Sequence, residues 1–308
     1  MTGFSTFDAF KNSAVDGAAV IDGDRLCDLQ ACLLGILKDV FEFCTRHSIA
    51  CILGGGTALG AIRSGGFIPW DDDVDIALPR RDFDRFLALF GEECADRYDV
   101  ITPEAKPTLG LGLARIRLKG TRCATREDIV AANPRDGVFI DAFVIENVPD
   151  CRLLRMMHGF VSMAIGFLYS CRKFYWERGM LRRWRTEEGT TCVFRIKTGV
   201  GFLVSFMSMR AWVLIWDWWN SLFRNRCTMM VGIPVGRKHY FGEIARREDL
   251  CETRPIIFEG VECRCARDCE GYLTRLYGKD FMKPPADGRR ERHIVFEPLV
   301  IPHRKKVP

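Results

Sequence analysis

Apolar residues recur at three- and four-residue spacing between Arg25 and Arg46, at Leu26, Leu29, Leu33, Ile36, Val40 and Cys44, with Asp24 placed to cap the first turn. That period predicts an amphipathic helix. The short apolar run Ala50–Leu53 enters Gly54-Gly55-Gly56 and reads as a buried strand ending in a tight turn, after which Thr57–Arg63 can open a second helix. Acidic and apolar residues alternate from Asp73 to Leu78, which is strand periodicity. Pro79 then starts a helix with Phe83, Phe86, Leu87 and Phe90 on one face and Gly91 at its end. A third strand is expected over Val138–Ile145, where Asp141 is the sole polar residue. Later, Pro255–Cys265 reads as short strands turned at Glu259-Gly260, and Asp268–Tyr277 as a helix before a Pro- and Arg-rich tail. No internal repeat or low-complexity tract interrupts this order.

The middle of the chain follows a different pattern. From Met156 to Cys171 no residue is charged, and the run is flanked by Arg155 and by Arg172-Lys173. At 16 residues it falls short of the ~20 that span a bilayer. Six of the seven tryptophans lie in residues 151–230, at 176, 184, 212, 216, 218 and 219. A helical projection from Arg210 to Arg224 places Arg210, Asp217, Asn220, Ser221 and Arg224 on one stripe, opposite Trp212, Trp216 and Trp219. Two readings stay open: peripheral docking at an anionic membrane surface, where indoles sit at headgroup depth, or helices packed on a core with a solvated basic face.

Charge sharpens this division. The 308 residues carry a net +5, too little to imply a nucleic-acid partner, and no nucleic-acid motif is present. The charge is uneven: residues 1–150 hold 16 basic and 24 acidic side chains (−8), residues 151–230 hold 13 and 4 (+9), and residues 231–308 hold 16 and 12 (+4). A mean hydropathy of −0.03 argues against an integral membrane bundle. Fourteen cysteines scattered through a core-rich chain suit a reducing compartment better than a disulfide scaffold. Cys263, Cys265 and Cys269 lack the paired knuckles of a zinc site and read as buried thiols. Without a basic, then apolar leader, the expected location is cytoplasmic, peripheral at the inner face of the cytoplasmic membrane.

The strongest chemical signal is Gly54-Gly55-Gly56-Thr57, followed by Gly60, Arg63, Pro69-Trp70 and Asp71-Asp72-Asp73-Val74-Asp75. Side chains two apart on a strand share a face, so Asp73 and Asp75 are expected to point together while Val74, Ile76 and Leu78 enter the core. Adjacent carboxylates repel unless a hard cation lies between them, and oxygen ligands suit Mg²⁺, with Mn²⁺ an alternative. Gly55 and Gly56 permit close approach of a phosphate to the helix N-terminus. A calcium loop and a P-loop are both excluded by spacing. Asp141, flanked by Phe139, Ile140, Ala142 and Phe143, would be costly to bury without a metal or cationic partner.

The run Gly55-Gly56-Thr57-Ala58-Leu59-Gly60-Ala61-Ile62-Arg63, then Gly66-Phe67-Ile68-Pro69-Trp70-Asp71-Asp72-Asp73-Val74-Asp75-Ile76, closely resembles the LicD/fukutin family of the nucleotidyltransferase-fold superfamily. The resemblance continues through Phe139-Ile140-Asp141-Ala142-Phe143 and Asn147-Val148-Pro149. It returns at Tyr240-Phe241-Gly242-Glu243, Phe258-Glu259-Gly260-Val261 and Tyr272 to Pro285. Departures are Ser64-Gly65, Phe83 and Val144-Ile145-Glu146.

The resemblance implies an α+β fold with a nucleotidyltransferase-like mixed sheet and a helical basic and aromatic insert. Residues 1–150 would form the catalytic core, 151–230 the insert, and 231–308 the part completing the catalytic domain. It further implies Mg²⁺-dependent transfer of a phospho-substituent, foremost phosphocholine, from a CDP-activated donor to a hydroxyl of a glycan such as teichoic acid, lipopolysaccharide or capsule, with a lipid-linked acceptor among the expectations. Asp73, Asp75 and Asp141 would be the metal and catalytic carboxylates. Gly55, Gly56 and Thr57 would cradle phosphate, and Arg63, Arg117 and Lys283 would offset its charge unless they are plain surface cations. Two other functions compete: nucleotidyl transfer from an NTP, and a non-catalytic membrane-associated scaffold on a relic fold.

Overall fold

The computed structural model describes residues 18–109, 112–133, 136–184, 191–285 and 294–301. The first 17 residues and most of the Pro- and Arg-rich tail lie outside them. After strand β1 (Ala18–Val20), helix α1 (Gly23–Arg46) buries Leu26, Leu29, Leu33, Ile36, Val40 and Cys44, the stripe its period predicts. Asp22, not Asp24, occupies the N-cap; Asp24 falls in the first turn, where its charge suits the helix dipole. Strand β2 (Ile52–Leu53) leads into α2 (Gly55–Ser64), which begins on the glycines instead of after them. Gly65, at φ 71°, ends it in the left-handed conformation.

Strand β3 (Asp75–Pro79) starts two residues later than its alternation suggests, so Asp73 belongs to the preceding loop and the shared-face argument for Asp73 and Asp75 does not hold as a strand argument. Helix α3 (Arg80–Glu93) follows and runs past Gly91. Its Phe86 and Phe90 stack at 4.9 Å and are fully buried, each contributing roughly 2–3 kcal/mol of apolar transfer.

Strands β4 (Tyr98–Ile101), β5 (Ala114–Leu118), β6 (Arg122–Thr125) and β7 (Phe139–Val148) come next. The main sheet has the order β2-β3-β7-β5-β4. Only β3 and β7 are parallel within it, in a register that sets Asp75 beside Asp141, while β5 runs antiparallel to β7 with Arg115 opposite Asp141. Beyond residue 229 the chain returns to this core. Strand β8 (Met230–Gly232) pairs with the end of β7 and with β9 (Ala245–Arg246). Strands β10 (Thr253–Phe258) and β11 (Val261–Ala266) form the expected hairpin, turned by Glu259 at φ 49° and Gly260 at φ 77°, as a primed turn requires. Helix α7 below denotes Cys269–Tyr277, and β12 (Ile294–Val300) lies between β1 and β6. Cys263, Cys265 and Cys269 are buried thiols.

The insert comprises α4 (Arg152–Trp184), α5 (Thr191–Leu203) and α6 (Met209–Asn220). Its two ends meet where Val148 of β7 pairs with Met230 of β8. Neutral His158 on α4 holds it together: Nδ1 accepts from the Tyr240 hydroxyl at 2.9 Å, and Nε2 donates to the Trp219 carbonyl at 2.8 Å. The polar stripe expected to face water does so in part: Arg210, Asp217 and Arg224 are exposed, while Asn220 and Ser221 are buried. Asn220 accepts from Ser162 at 2.6 Å, and Asp217 accepts from Arg80 at 2.6 Å. Arg80 is itself buried and also donates to Glu146, so a core cation binds the insert's carboxylate and the sheet's together. Tertiary partners thus cover the polar positions at the C-terminal end of the stripe, where Ser162 meets Asn220.

Candidate active site

Asp71, Asp72 and Asp73 bring one carboxylate oxygen each within 4.8 Å of the others, and all three are half-buried. They sit in the loop before β3, which the Asp71 N–H to Ile68 carbonyl bond (2.9 Å) and the Gln30 amide on the Asp71 carbonyl (2.9 Å) hold in place. The carboxylates of Asp71, Asp73 and Asp75 add to burial in raising the pKa of the Tyr277 hydroxyl, and that of Asp72 in raising the pKa of the Cys123 thiol. Among the described residues Asp75 and Asp141 are not in the group that meets within 4.8 Å. They adjoin it through the β3–β7 ladder.

The glycines have a different task from the one their sequence suggests. A Cβ on Gly55, whose φ is +41°, would lie 2.5 Å from Asp75 Oδ2; one on Gly56 would lie 3.1 Å from Asp71 Oδ2. Both absences make room for carboxylates at the N-terminus of α2, where the helix dipole favours negative charge. The Gly55 N–H donates to the Tyr272 hydroxyl at 3.0 Å and is not turned to a phosphate. Thr57 is likewise buried, its hydroxyl accepting from the Asp75 N–H at 2.8 Å, so it positions Asp75 instead of lining a cradle.

Asp141 is neither deeply buried nor unpaired. Arg115 donates through Nε to its Oδ1 at 2.8 Å, and the Arg115 guanidinium rests 4.0 Å from the Phe139 ring centroid. Arg117, two residues along β5, is in the core and not at the site: it forks onto both oxygens of Asp128 at 2.9 Å, each partner about 1% exposed. Arg63 stays close. It lies over Trp70 at 5.8 Å and donates to the Phe281 carbonyl; partial burial lowers its pKa while Asp71 pulls it back. Lys283 is an exposed rim cation bonded to Asp280 at 2.8 Å.

Four residues that the sequence did not single out for chemistry complete the wall. Tyr272 and Tyr277 come from α7, and Arg237 stacks over Tyr277 at 5.3 Å. Glu243 is buried, accepts from the Lys238 N–H at 2.8 Å, and adds its charge to the environment of Tyr272. Burial pushes its carboxyl up to about 7, against Arg237 and Lys238. Glu243 stood within a motif carrying the resemblance; its burial is the signal that sequence lacks.

A parallel strand pair carrying Asp75 and Asp141, an acidic loop and a glycine-led helix define an α+β enzyme of the nucleotidyltransferase-fold type. The model described as "LicD/FKTN/FKRP, nucleotidyltransferase domain" matches residues 48–152, which hold the acidic loop and both strands. Residues 48–152 thus match the LicD/FKTN/FKRP nucleotidyltransferase domain, and the chain is a LicD-like phosphotransferase. It is 27% identical over 288 residues, spanning 87% of its length and 96% of the relative's, to the lipopolysaccharide cholinephosphotransferase LicD of Haemophilus influenzae. An uncharacterized protein of Rickettsia typhi is 42% identical over 61 residues, 19% of this chain and 20% of that one.

Proposed function

We propose that the protein transfers phosphocholine from a CDP-activated donor to a hydroxyl of a cell-surface glycan, releasing CMP, with Mg²⁺ or Mn²⁺ held by the carboxylates of the Asp71–Asp75 segment. The observation that carries the reading is the gathering of carboxylates at the start of α2: Asp75 Oδ2 against Gly55, Asp71 Oδ2 against Gly56, Asp73 within 4.8 Å of Asp71, and Asp141 beside Asp75 in the ladder. An all-carboxylate donor set fits a hard divalent cation. Bound there, the ion would supply positive charge against the donor's phosphates.

The chain's own residues do the rest. Gly55 and Gly56 leave the carboxylates space, and Thr57 and Tyr272 fix the two backbone N–H groups that set their position. Arg63, on which the Asp71 charge acts, and Arg237, stacked over Tyr277, suit phosphate oxygens. Asp141, held in place by the Arg115 hydrogen bond, takes the proton of the incoming glycan hydroxyl. The new bond joins that oxygen to the phosphorus distal to cytidine, and the bond to CMP breaks.

The test is CMP release from CDP-choline, CDP-ethanolamine, CDP-glycerol and CDP-ribitol with Mg²⁺. We expect CDP-choline to be preferred, and Asp75→Asn and Asp141→Asn, folded by circular dichroism, to lose at least about a hundredfold in rate. Full metal-dependent transfer by either folded variant overturns the assignment. Release of pyrophosphate from an NTP, with no CMP from any donor, would favour nucleotidyl transfer instead.

A further inference from the structure

We infer that the insert is a membrane-docking surface that seats the protein in the plane of an anionic bilayer, a role independent of the transfer reading. The outward side of a helix on a water-soluble protein normally carries charge. The outward side of α4 does not: Leu153, Leu154, Met156, Met157, Phe160, Val161, Met163 and Phe167 are all exposed, Leu153 by 70% and Phe160 by 60%. Together they present on the order of 700 Å² of contiguous apolar surface, above the few hundred typical of a monomer's largest patch. Only 22% of the most apolar stretch of this helix is buried. Next to it, exposed Phe241 extends the patch through Phe160, and Trp218 and Leu222 are exposed on α6 and just past its end. Farther along, α5 and α6 meet at a 90° bend whose corner exposes Phe202, Leu203 and Phe206, the last by 78%.

The occupant follows from charge and tethering. Exposed Arg152, Arg224 and Arg226 rim one end of the patch, because the Asn147 amide, five residues before Arg152, donates to the carbonyls of Phe223, Arg224 and Arg226. An anionic lipid surface complements them and the insert's +9; a second copy would meet its own charge. Helix α4 is long enough to cross a bilayer, yet its inner side is fastened to the protein by His158, Ser162, Tyr169 and Lys173, spread over its first four turns and beyond. It therefore lies in the interface instead of crossing it. The segment from Arg237 to Glu243 links this face to the carboxylate site: Phe241 meets Phe160 at 5.1 Å, while Arg237 and Glu243 face Tyr277 and Tyr272. A docked protein thus holds its site close to the lipid surface.

The experiment is flotation of the full chain with vesicles of phosphatidylcholine, with and without phosphatidylglycerol, alongside light scattering. We expect a monomer that floats with the anionic vesicles, less so at high salt, and at least about tenfold less when Met157→Glu and Phe160→Glu are combined. Arg224→Glu with Arg226→Glu, on exposed side chains, should abolish the preference for anionic vesicles, and this pair carries the test if the first pair fails to fold. The inference is overturned if the wild-type chain floats with neither vesicle. It is equally overturned if folded Met157→Glu/Phe160→Glu floats as wild type, if the charge pair keeps its anionic preference, or if a lipid-free dimer is dissociated by Met157→Glu/Phe160→Glu.

Discussion

Gly55→Ala separates the backbone role of the glycine turn from its role toward Asp75. Two effects are built in: a φ of +41°, and a new methyl 2.5 Å from Asp75 Oδ2. The left-handed backbone costs an alanine about 1–2 kcal/mol. The clashing oxygen is the far end of a side chain, so Asp75 turns aside, at about 0.5–1.5 kcal/mol for leaving its rotamer, and the damage falls on the site more than on the fold. Gly65→Ala is the matched control, with φ +71° and nothing within 4 Å of its new methyl. Urea unfolding should therefore show both variants destabilised by about 1–2 kcal/mol. CMP release titrated with Mg²⁺ should fall at least about tenfold, or 1.4 kcal/mol, in Gly55→Ala alone. On an Asp75→Ala background, Gly55→Ala should add no further loss. Wild-type metal dependence in Gly55→Ala, or an equal loss in Gly65→Ala, would refute the reasoning.

Three further outcomes are expected. Arg117→Met should destabilise the protein by about 3–5 kcal/mol in urea by leaving Asp128 buried and unpaired, without changing the donor KM of the folded fraction. Arg115→Met should cost less stability, since Asp141 is partly exposed, but should slow CMP release at least about tenfold, because the Asp141 carboxylate loses the guanidinium that positions it. For Glu243 the folded pKa, about 7, lies above the ordinary 4.5, so it contributes stability below pH 4.5 that is lost as pH rises through 7; on the order of 3 kcal/mol should disappear across that window in wild type and not in Glu243→Gln, with Arg237, Lys238 and Tyr272 being the charged and titratable groups around it.

Periodicity made the framework legible. The stripe of α1, the aromatic face of α3 and the Glu259-Gly260 turn are local patterns whose partners lie nearby in sequence. The acidic loop and Asp141 were legible as chemistry, because carboxylates in an apolar setting demand compensation. What compensates them was not. Arg115 and Arg117 are two apart on one strand and indistinguishable in sequence, yet one meets Asp141 and the other Asp128. Tyr272, Tyr277, Arg237 and Glu243 reach the site only through tertiary packing. The strand assigned to Asp73 starts later for a physical reason: the ladder begins where Asp75 can pair with β7, and the residues before it belong to the acidic loop.

The hydrogen bond from Gly55 to Tyr272 spans 217 positions of the chain. During synthesis the acidic loop, the glycine-led helix and both parallel strands emerge long before the residue that fixes the Gly55 N–H and walls the site. A growing chain thus carries its anionic loop without the finished site for most of the time it takes to make, and transfer becomes available only when α7 docks. On the proposed reading, turnover in this protein reports that translation has passed α7.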